Sequence, residues 1–349
     1  MAQLAHAQLT KAQGVTQYDS LIGNYNLITF GDAYIHNYGD TEGALAVGKN
    51  LYIDGGVIAS KQTSASSSPT LYVGGTLKQT NSKKFGNPHN NLVDSAGKEL
   101  QLKSGFSSVG NFAGAAAPTS WHNVKANTLT SWVNPTKEQT AFSNISSSLA
   151  SAGTTGAIKV VGQALTFTPT ITNGVAIFNL DMSLMNGNYY NQFYFSSVSF
   201  NIASGTTYVV NVLNGNGKTL FDSTSINFSG SGYDNLLWNI VDTKGTTNDN
   251  ITFGSSEFYG SILASTYTVY NSSNTKINGQ IVANSIYYDY KGCQSANELH
   301  FTGFDVNIPE GDLPPTPEPS TYGLIGAVFC LGFAGFSRWS KQRATAKAA

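Results

Sequence analysis

The chain has 349 residues and a formal net charge of -1, with only 11% of residues charged, so it offers nucleic acid no basic surface. Of its two cysteines, Cys330 lies in an apolar segment, which leaves Cys293 without an intramolecular disulfide partner or the companion thiolates of a metal cluster. With 36 glycines, 18 tyrosines and 12% aromatic residues, the composition favours β-structure with many turns over helices.

Residues 1–24 read as an N-terminal segment. "MAQLAHAQLTKAQG" has no apolar run, but Ala5-His6-Ala7 fits the small-x-small pattern that precedes a signal-peptide cleavage point, with Gln8 following. The expectation is the end of a signal peptide; the alternative is a plain N-terminus. From Tyr25 onward, short apolar alternations punctuated by glycine take over. In "GALAVGKNLYIDGG" (Gly43 to Gly56), Leu45, Val47, Leu51 and Ile53 alternate inward, and "TLYVGGTLKQT" repeats the manner from Thr70. The serine-rich stretch Lys61 to Pro69 between them reads as a loop.

One segment breaks the strand pattern. In Asn134 to Ala152, Pro135 suits a first helical turn, and Thr136 with Gln139 has capping-box spacing. Phe142, Ile145, Leu149 and Ala152 fall on one face at helical spacing, and Gly153 is a natural stop. This predicts one amphipathic helix lying against the β-structure.

Near the other end, "GSILASTYTVY" from Gly260 and "GQIVANSIYYD" from Gly279 align at a constant offset of 19 residues. The alignment matches Ile262 with Ile281, Leu263 with Val282 and Ala264 with Ala283. A period near 20 with short strands is what stacked β-helix rungs require, because a single rung cannot bury its apolar side alone. The predicted fold is therefore mainly β: a parallel β-helix-like solenoid with one α-helix alongside. A β-sandwich, which also has short strands and frequent turns, is the alternative.

These motifs carry a resemblance. "YNLITFGDAYIHNYGDTEGALAVGKNLYIDGG" is similar to the opening of the choice-of-anchor A domain, and "NLLWNIVD", "FYGSILAS", "INGQIVANSI" and "NELHFTGF" resemble its closing portion in order. The resemblance spans residues 25–304. Ala296-Asn297 departs from it where the family usually has glycines. It implies an adhesin domain related to ice-binding-like β-helices, with some members labelled collagen-binding.

Residues 305–319 form a proline-rich acidic linker, extended by Pro314, Pro315, Pro317 and Pro319. Residues 320–343 contain an uncharged run from Thr321 to Ser337, followed by Arg338, Lys341 and Arg343; residues 344–349 form a short tail. The glycines of the run would weaken a water-exposed helix by roughly 1 kcal/mol each, yet small residues are common in transmembrane helices. Basic residues stay on the cytoplasmic side, which predicts an N-out, C-in transmembrane helix. The 16 residues Tyr322–Ser337 give about 24 Å at about 1.5 Å per residue, short of the roughly 30 Å hydrocarbon core, which suits a transient anchor.

Pro317-Glu318-Pro319-Ser320, then an apolar helix, then basic residues, resembles the PEP-CTERM sorting signal of Gram-negative bacteria. The resemblance implies processing by an exosortase at the inner membrane, with Arg338, Lys341 and Arg343 as retention charges, and release to the cell surface or extracellular matrix. An ordinary tail anchor is the alternative.

Chemistry is sparsely signalled. The five histidines are scattered, with no metal-ligand spacing. Asn297–His300 ("NELH") contains a Glu-His pair but reads as a turn closing the last rung. Asp32, Asp40 and Glu42 are candidate calcium ligands, since calcium wants several oxygens; without an Asp-x-Asp-x-Asp-Gly loop, solvated turn residues are the competing reading. "GNGKT" at Gly215–Thr219 lacks the first glycine of a phosphate loop and reads as a β-hairpin. No catalytic residue or cofactor is assigned. The function expected is a non-catalytic adhesin or biofilm component whose faces of Tyr, Thr, Asn and Ser contact exopolysaccharide or a matrix protein. The alternative is a polysaccharide-active β-helix lyase or hydrolase, by fold analogy.

Overall fold

Alternating strands with one apolar side must share a core, and here they do so by stacking in parallel. The computed structural model describes residues 10–35, 38–53, 57–61, 69–81, 84–88, 101–102, 107–112, 124–126, 135–170, 174–222, 225–242, 249–254, 257–271, 276–287 and 297–306. Along one face of the solenoid the strand order is Gly174–Asp181, Thr206–Leu213, Leu236–Ile240, Ser261–Asn271, Ile281–Tyr287, Tyr25–Thr29, Ala44–Val47 and Leu71–Asn81. Every neighbour in that series is parallel. The β-sandwich alternative is thereby replaced by the solenoid.

The rung order is not the chain order. Leu27 pairs with Ile281, Ile28 with Val282 and Thr29 with Ala283, so the two ends of the domain meet in the middle of the stack. From that junction the chain builds outward to Ser107–Phe112 and Val124–Ala126. It then passes through a helix and resumes at the far end with Gly174–Asp181.

The expected repeat register holds. Ile262 pairs with Ile281, Leu263 with Val282 and Ala264 with Ala283. Gly260 and Gly279 sit at equivalent corners, but with different backbones: only Gly260 is left-handed, at φ +99°. A Cβ on Gly279 would lie 2.4 Å from the Gly260 carbonyl oxygen, so this corner needs glycine for its close approach.

Two apolar layers result. Inside the solenoid, Leu45, Val47, Leu51, Ile53, Ile262 and Ile281 join one continuous core, as their alternation predicts. It also contains an aromatic group around Trp238, whose ring meets Phe200 and Phe221 edge-on at 5.6 and 5.5 Å. The outward positions of the same strands, among them Ile28, Ala46, Tyr72, Val209, Leu263 and Val282, form a second layer beneath helices. Burial on both sides explains why these strands read as unbroken apolar runs.

The predicted helix, α2 (Pro135–Ser151), buries Phe142, Ile145 and Leu149 in that second layer, with Ala152 packed at its edge. Each such side chain contributes about 1.5–3 kcal/mol. Gly153 follows at φ +78°. The helix begins at Pro135, so Thr136 lies within it rather than at its cap. Gln139 Nε2 donates to the Ser265 carbonyl (2.8 Å) and to Asn284 Oδ1 (3.3 Å), tying α2 to the rungs. At the other end of α2, Asn211 and Asn239 donate to the Leu149 and Ser146 carbonyls, and Asn239 also donates to Asn211.

A further helix, α1 (Lys11–Ile22), has no counterpart in the sequence expectation. Its capping box is complete: Gln13 N donates to Thr10 Oγ1, and Thr10 N donates to Gln13 Oε1. Val15, Tyr18 and Ile22 are fully buried, and Tyr18 meets Phe142 of α2 edge-on at 5.9 Å. Among the described residues no helix is long and apolar enough to cross a membrane; the anchor expected at 320–343 lies outside them.

Candidate functional site

Beyond the helices, the rungs turn onto a face whose outward residues are partly exposed and which no other described element covers. The second halves of Ser261–Asn271 and Ile281–Tyr287 continue there beside Ala33–Ile35, Leu51–Ile53 and the second half of Leu71–Asn81. Asn250–Phe253 and Lys218–Leu220 extend the face on the other side. Inward positions (Ile35, Ile53, Val269, Ile286) are buried, and the residues between them point out, with period two.

The register places outward residues in one column: Thr219, Thr252, Tyr270, Tyr287, Tyr34, Tyr52 and Lys78. Tyr34 stacks on Tyr52 with ring centroids 4.3 Å apart and planes 2° from parallel. It stacks on Tyr287 at 4.3 Å and 16°, and Tyr287 on Tyr270 at 5.1 Å and 21°. Lys78 Nζ closes the row 5.2 Å from the Tyr52 ring centroid, within cation–π range. These separations follow the roughly 4.8 Å spacing of neighbouring strands. Because each ring face is spent on the next ring, the column offers solvent its edges and hydroxyls.

A polar file runs beside the tyrosines. Thr268 pairs with Ser285. Asn50 donates to Asp32 Oδ1 through both its backbone N (2.9 Å) and its Nδ2 (3.0 Å), and Asn50 Oδ1 accepts from Thr76 N at 3.0 Å. Burial, first, and then hydrogen bonding and charge from Tyr287 push the Tyr34 phenol up. Tyr34 is therefore uncharged at neutral pH.

The carboxylates proposed for calcium do not converge. Asp32 belongs to the polar file, and Asp40 Oδ2 accepts from Ser60 Oγ at 2.6 Å. Glu42 pairs through Oε1 with Lys61 and accepts from Phe301 N through Oε2 at 2.8 Å. Among the described residues no three His, Cys, Asp or Glu side chains are grouped to hold a metal ion. Asn297–His300 is a strand rather than a turn. It lies parallel to Lys276–Asn278 and Tyr38–Thr41, and His300 Nδ1 bonds Asn278 Oδ1 at 2.8 Å. Nor is Gly215–Thr219 a hairpin. Gly217 turns at φ +69° and sends Lys218–Leu220 onto the tyrosine-bearing face, parallel to Asn250–Phe253. The sorting residues Pro317, Glu318, Pro319 and Ser320, and the charges Arg338, Lys341 and Arg343, lie outside the described residues.

No curated protein matches the chain. Among solved structures, an ice-binding protein of Shewanella frigidimarina is similar, at 11% identity and a TM-score of 0.34, covering 82% of this chain and 94% of that one. A family model described as "Putative Ice-binding-like adhesive domain" matches residues 18–300, from the middle of α1 to the last strand of the solenoid. Over that span the chain belongs to the ice-binding-like adhesive domain family.

Proposed function

We propose that this is an exported, non-catalytic adhesin of the choice-of-anchor A kind. It holds exopolysaccharide or a matrix protein on its tyrosine-bearing face and serves as a component of a biofilm matrix. The observation that carries this reading is the column Tyr270–Tyr287–Tyr34–Tyr52, a row of hydroxyls repeating at rung spacing beside an amide and hydroxyl file. A repeating surface suits a repeating polymer, because many weak contacts add along its length. Hydrolysis of a glycan would instead need a pair of carboxylates facing one another across a groove, and Asp32, Asp40 and Glu42 are each held in separate structural hydrogen bonds.

The route to the surface is part of the same proposal. The tail is a PEP-CTERM signal: Tyr322–Ser337 pauses in the inner membrane of a Gram-negative bacterium, Arg338, Lys341 and Arg343 hold it there, and an exosortase acts near Pro317-Glu318-Pro319. Prolines keep that site extended and outside the helix.

One experiment with two arms tests both halves. Replacing Tyr34 and Tyr287 with alanine should lower retention of the protein on host exopolysaccharide while leaving display unchanged. Replacing Pro317 and Pro319 with alanine should leave membrane insertion intact but block the change in mobility that depends on the host exosortase. Equal retention of the tyrosine variant, or release of reducing ends from the polymer, would overturn the adhesin reading. Identical mobility with and without the exosortase would make the tail a simple anchor.

A further inference from the structure

Away from the tyrosine face, the chain leaves the solenoid after Gly174–Asp181 and returns at Phe195. This excursion concentrates exposed apolar side chains: Leu184, Tyr189, Phe193 and Tyr194 are 47%, 48%, 66% and 41% exposed. A cluster of this kind points to an interaction site. Three two-residue strands form an antiparallel meander that sets Asn186 opposite Tyr189 and Tyr189 opposite Tyr194. The rings of Tyr189 and Tyr194 lie 5.3 Å apart. Met185, Tyr190 and Phe195 anchor the excursion in the core. At its base, Asp181 Oδ1 accepts from Ser183 N and Asn214 Nδ2, both at 2.9 Å.

The excursion bounds a cavity of about 520 Å³ lined by Ser183, Leu184, Asn186, Tyr189, Asn191 and Gln192 above Met185. That volume falls within the roughly 300–1,000 Å³ of small-molecule sites. Among the described residues the lining carries no carboxylate, ammonium, guanidinium or imidazole, so it offers no opposite charge to an ionic ligand. What it offers is three side-chain amides, each able to donate and accept, with a hydroxyl and a phenol. Leu184 and the Tyr189 ring supply apolar surface beside them.

The turn that supplies two of those amides is costly. Asn191 and Gln192 connect the last two strands of the meander with φ +47° and +68°. Both central residues of this hairpin loop are left-handed, a pattern that normally takes Asn-Gly. Asparagine tolerates the conformation; glutamine does so poorly, and glycine would serve the turn better. A side chain kept against its backbone preference points to a role in the cavity it lines.

We infer that this cavity binds a segment of neutral oligosaccharide, separately from the tyrosine face. Paired donors and acceptors on the amides match neighbouring ring hydroxyls, and the apolar wall matches the C–H face of a sugar ring. A protein partner would call for a broader, flatter contact of roughly 800 Å² per side with a dry centre.

The test uses the full chain and three probes, maltohexaose, cellohexaose and chitohexaose, followed by tyrosine fluorescence. At least one should bind saturably. Tyr189→Ala and Gln192→Gly should each weaken it about three- to tenfold, as expected for lost uncharged hydrogen bonds and ring contact. Gln192→Gly relaxes the turn, so its Tm should equal or exceed that of the parent, and its loss of binding cannot be unfolding. Tyr34→Ala with Tyr287→Ala should leave sugar binding here unchanged, so the failure of either surface is visible without the other. The inference is overturned if none of the three sugars binds saturably, or if binding survives both cavity substitutions. It is overturned equally if only the Tyr34/Tyr287 variant loses binding. Concentration-dependent dimerisation abolished by Tyr189→Ala with Phe193→Ala would assign the excursion to self-association instead.

Discussion

The strand Ser261–Asn271 has two different halves. From Ser261 to Ser265 every residue is buried; from Thr266 to Asn271 burial alternates, with Thr266, Thr268 and Tyr270 half-exposed. Its neighbour Ile281–Tyr287 changes in the same way. Backbone pairing is parallel in both halves, with a register shift between Ala264 and Thr268 where the rung turns from one face to the next. What differs is the outer neighbour. Over the first half lies α2, and the outward Leu263 and Val282 join the layer beneath the helices; over the second half the outward residues are threonine, serine and tyrosine, and they are partly exposed. The switch from an apolar run to an alternation within one strand reports where cover ends. The covered half holds the fold together, and the open half is free to carry function.

The largest effect that would test this division lies at the junction of the chain ends. Ile281 is fully buried and paired on one side with Ile262 and on the other with Leu27. Ile281→Asp places a carboxylate in the core with no cation beside it, at a cost of several kcal/mol, enough to unfold most domains. Thermal melting should show no cooperative transition near that of the parent. A melt like wild type would mean that the two halves of the stack do not meet there.

Alkaline pH should test the burial of both regions next. Tyr18, fully buried between the helices, and Tyr34, half-buried in the open column, are both pushed above the ordinary phenol range, in each case chiefly by burial. The folded chain therefore holds protons that the unfolded chain releases above about pH 10. Their contribution to stability is fully present below that value and is lost as pH rises toward the folded values. Phenolate absorbance from Tyr18 should appear only together with loss of the far-UV circular dichroism signal. A single reversible titration with unchanged circular dichroism would contradict the burial of Tyr18.

The covered half was the more legible in sequence. The offset between Gly260 and Gly279 gave the register of two rungs, and the spacing of Phe142, Ile145 and Leu149 gave α2, because both signals are local and periodic. The meeting of Tyr25–Thr29 with Ile281–Tyr287 leaves no local trace, since strands from opposite ends of the domain share no repeat. The tyrosine column was hidden for that reason. Tyr34 and Tyr52 lie near one end of the sequence and Tyr270 and Tyr287 near the other, and they form one row only when the ends join. A signal was nevertheless present: "AYI", "LYI" and "VYN" each set a tyrosine between an inward apolar residue and another inward position. Thr10-x-x-Gln13 likewise announced the cap of α1. The "NELH" segment misled because a short polar strand end looks like a turn when its partners, Lys276–Asn278 and Tyr38–Thr41, are distant in sequence.

The finest test compares one side chain from each half. Leu263→Ala removes a fully buried side chain from the layer under the helices and should cost about 2–5 kcal/mol, read as a lower denaturant midpoint. Tyr34→Phe keeps both stacked ring contacts, at 4.3 Å to Tyr52 and to Tyr287, and removes a hydroxyl with its hydrogen bond to Tyr287. Its cost should stay within about 1 kcal/mol, the ordinary net worth of one such bond. If the hydroxyl row is what meets the polymer, that same variant should still lose retention on exopolysaccharide, although its melt changes far less than that of Leu263→Ala. Retention that falls only with Tyr34→Ala, and not with Tyr34→Phe, would instead assign the contact to the ring edges. A stability loss for Tyr34→Phe as large as that of Leu263→Ala would mean that the open column serves the fold after all, and the division between the two halves of the strand would fail.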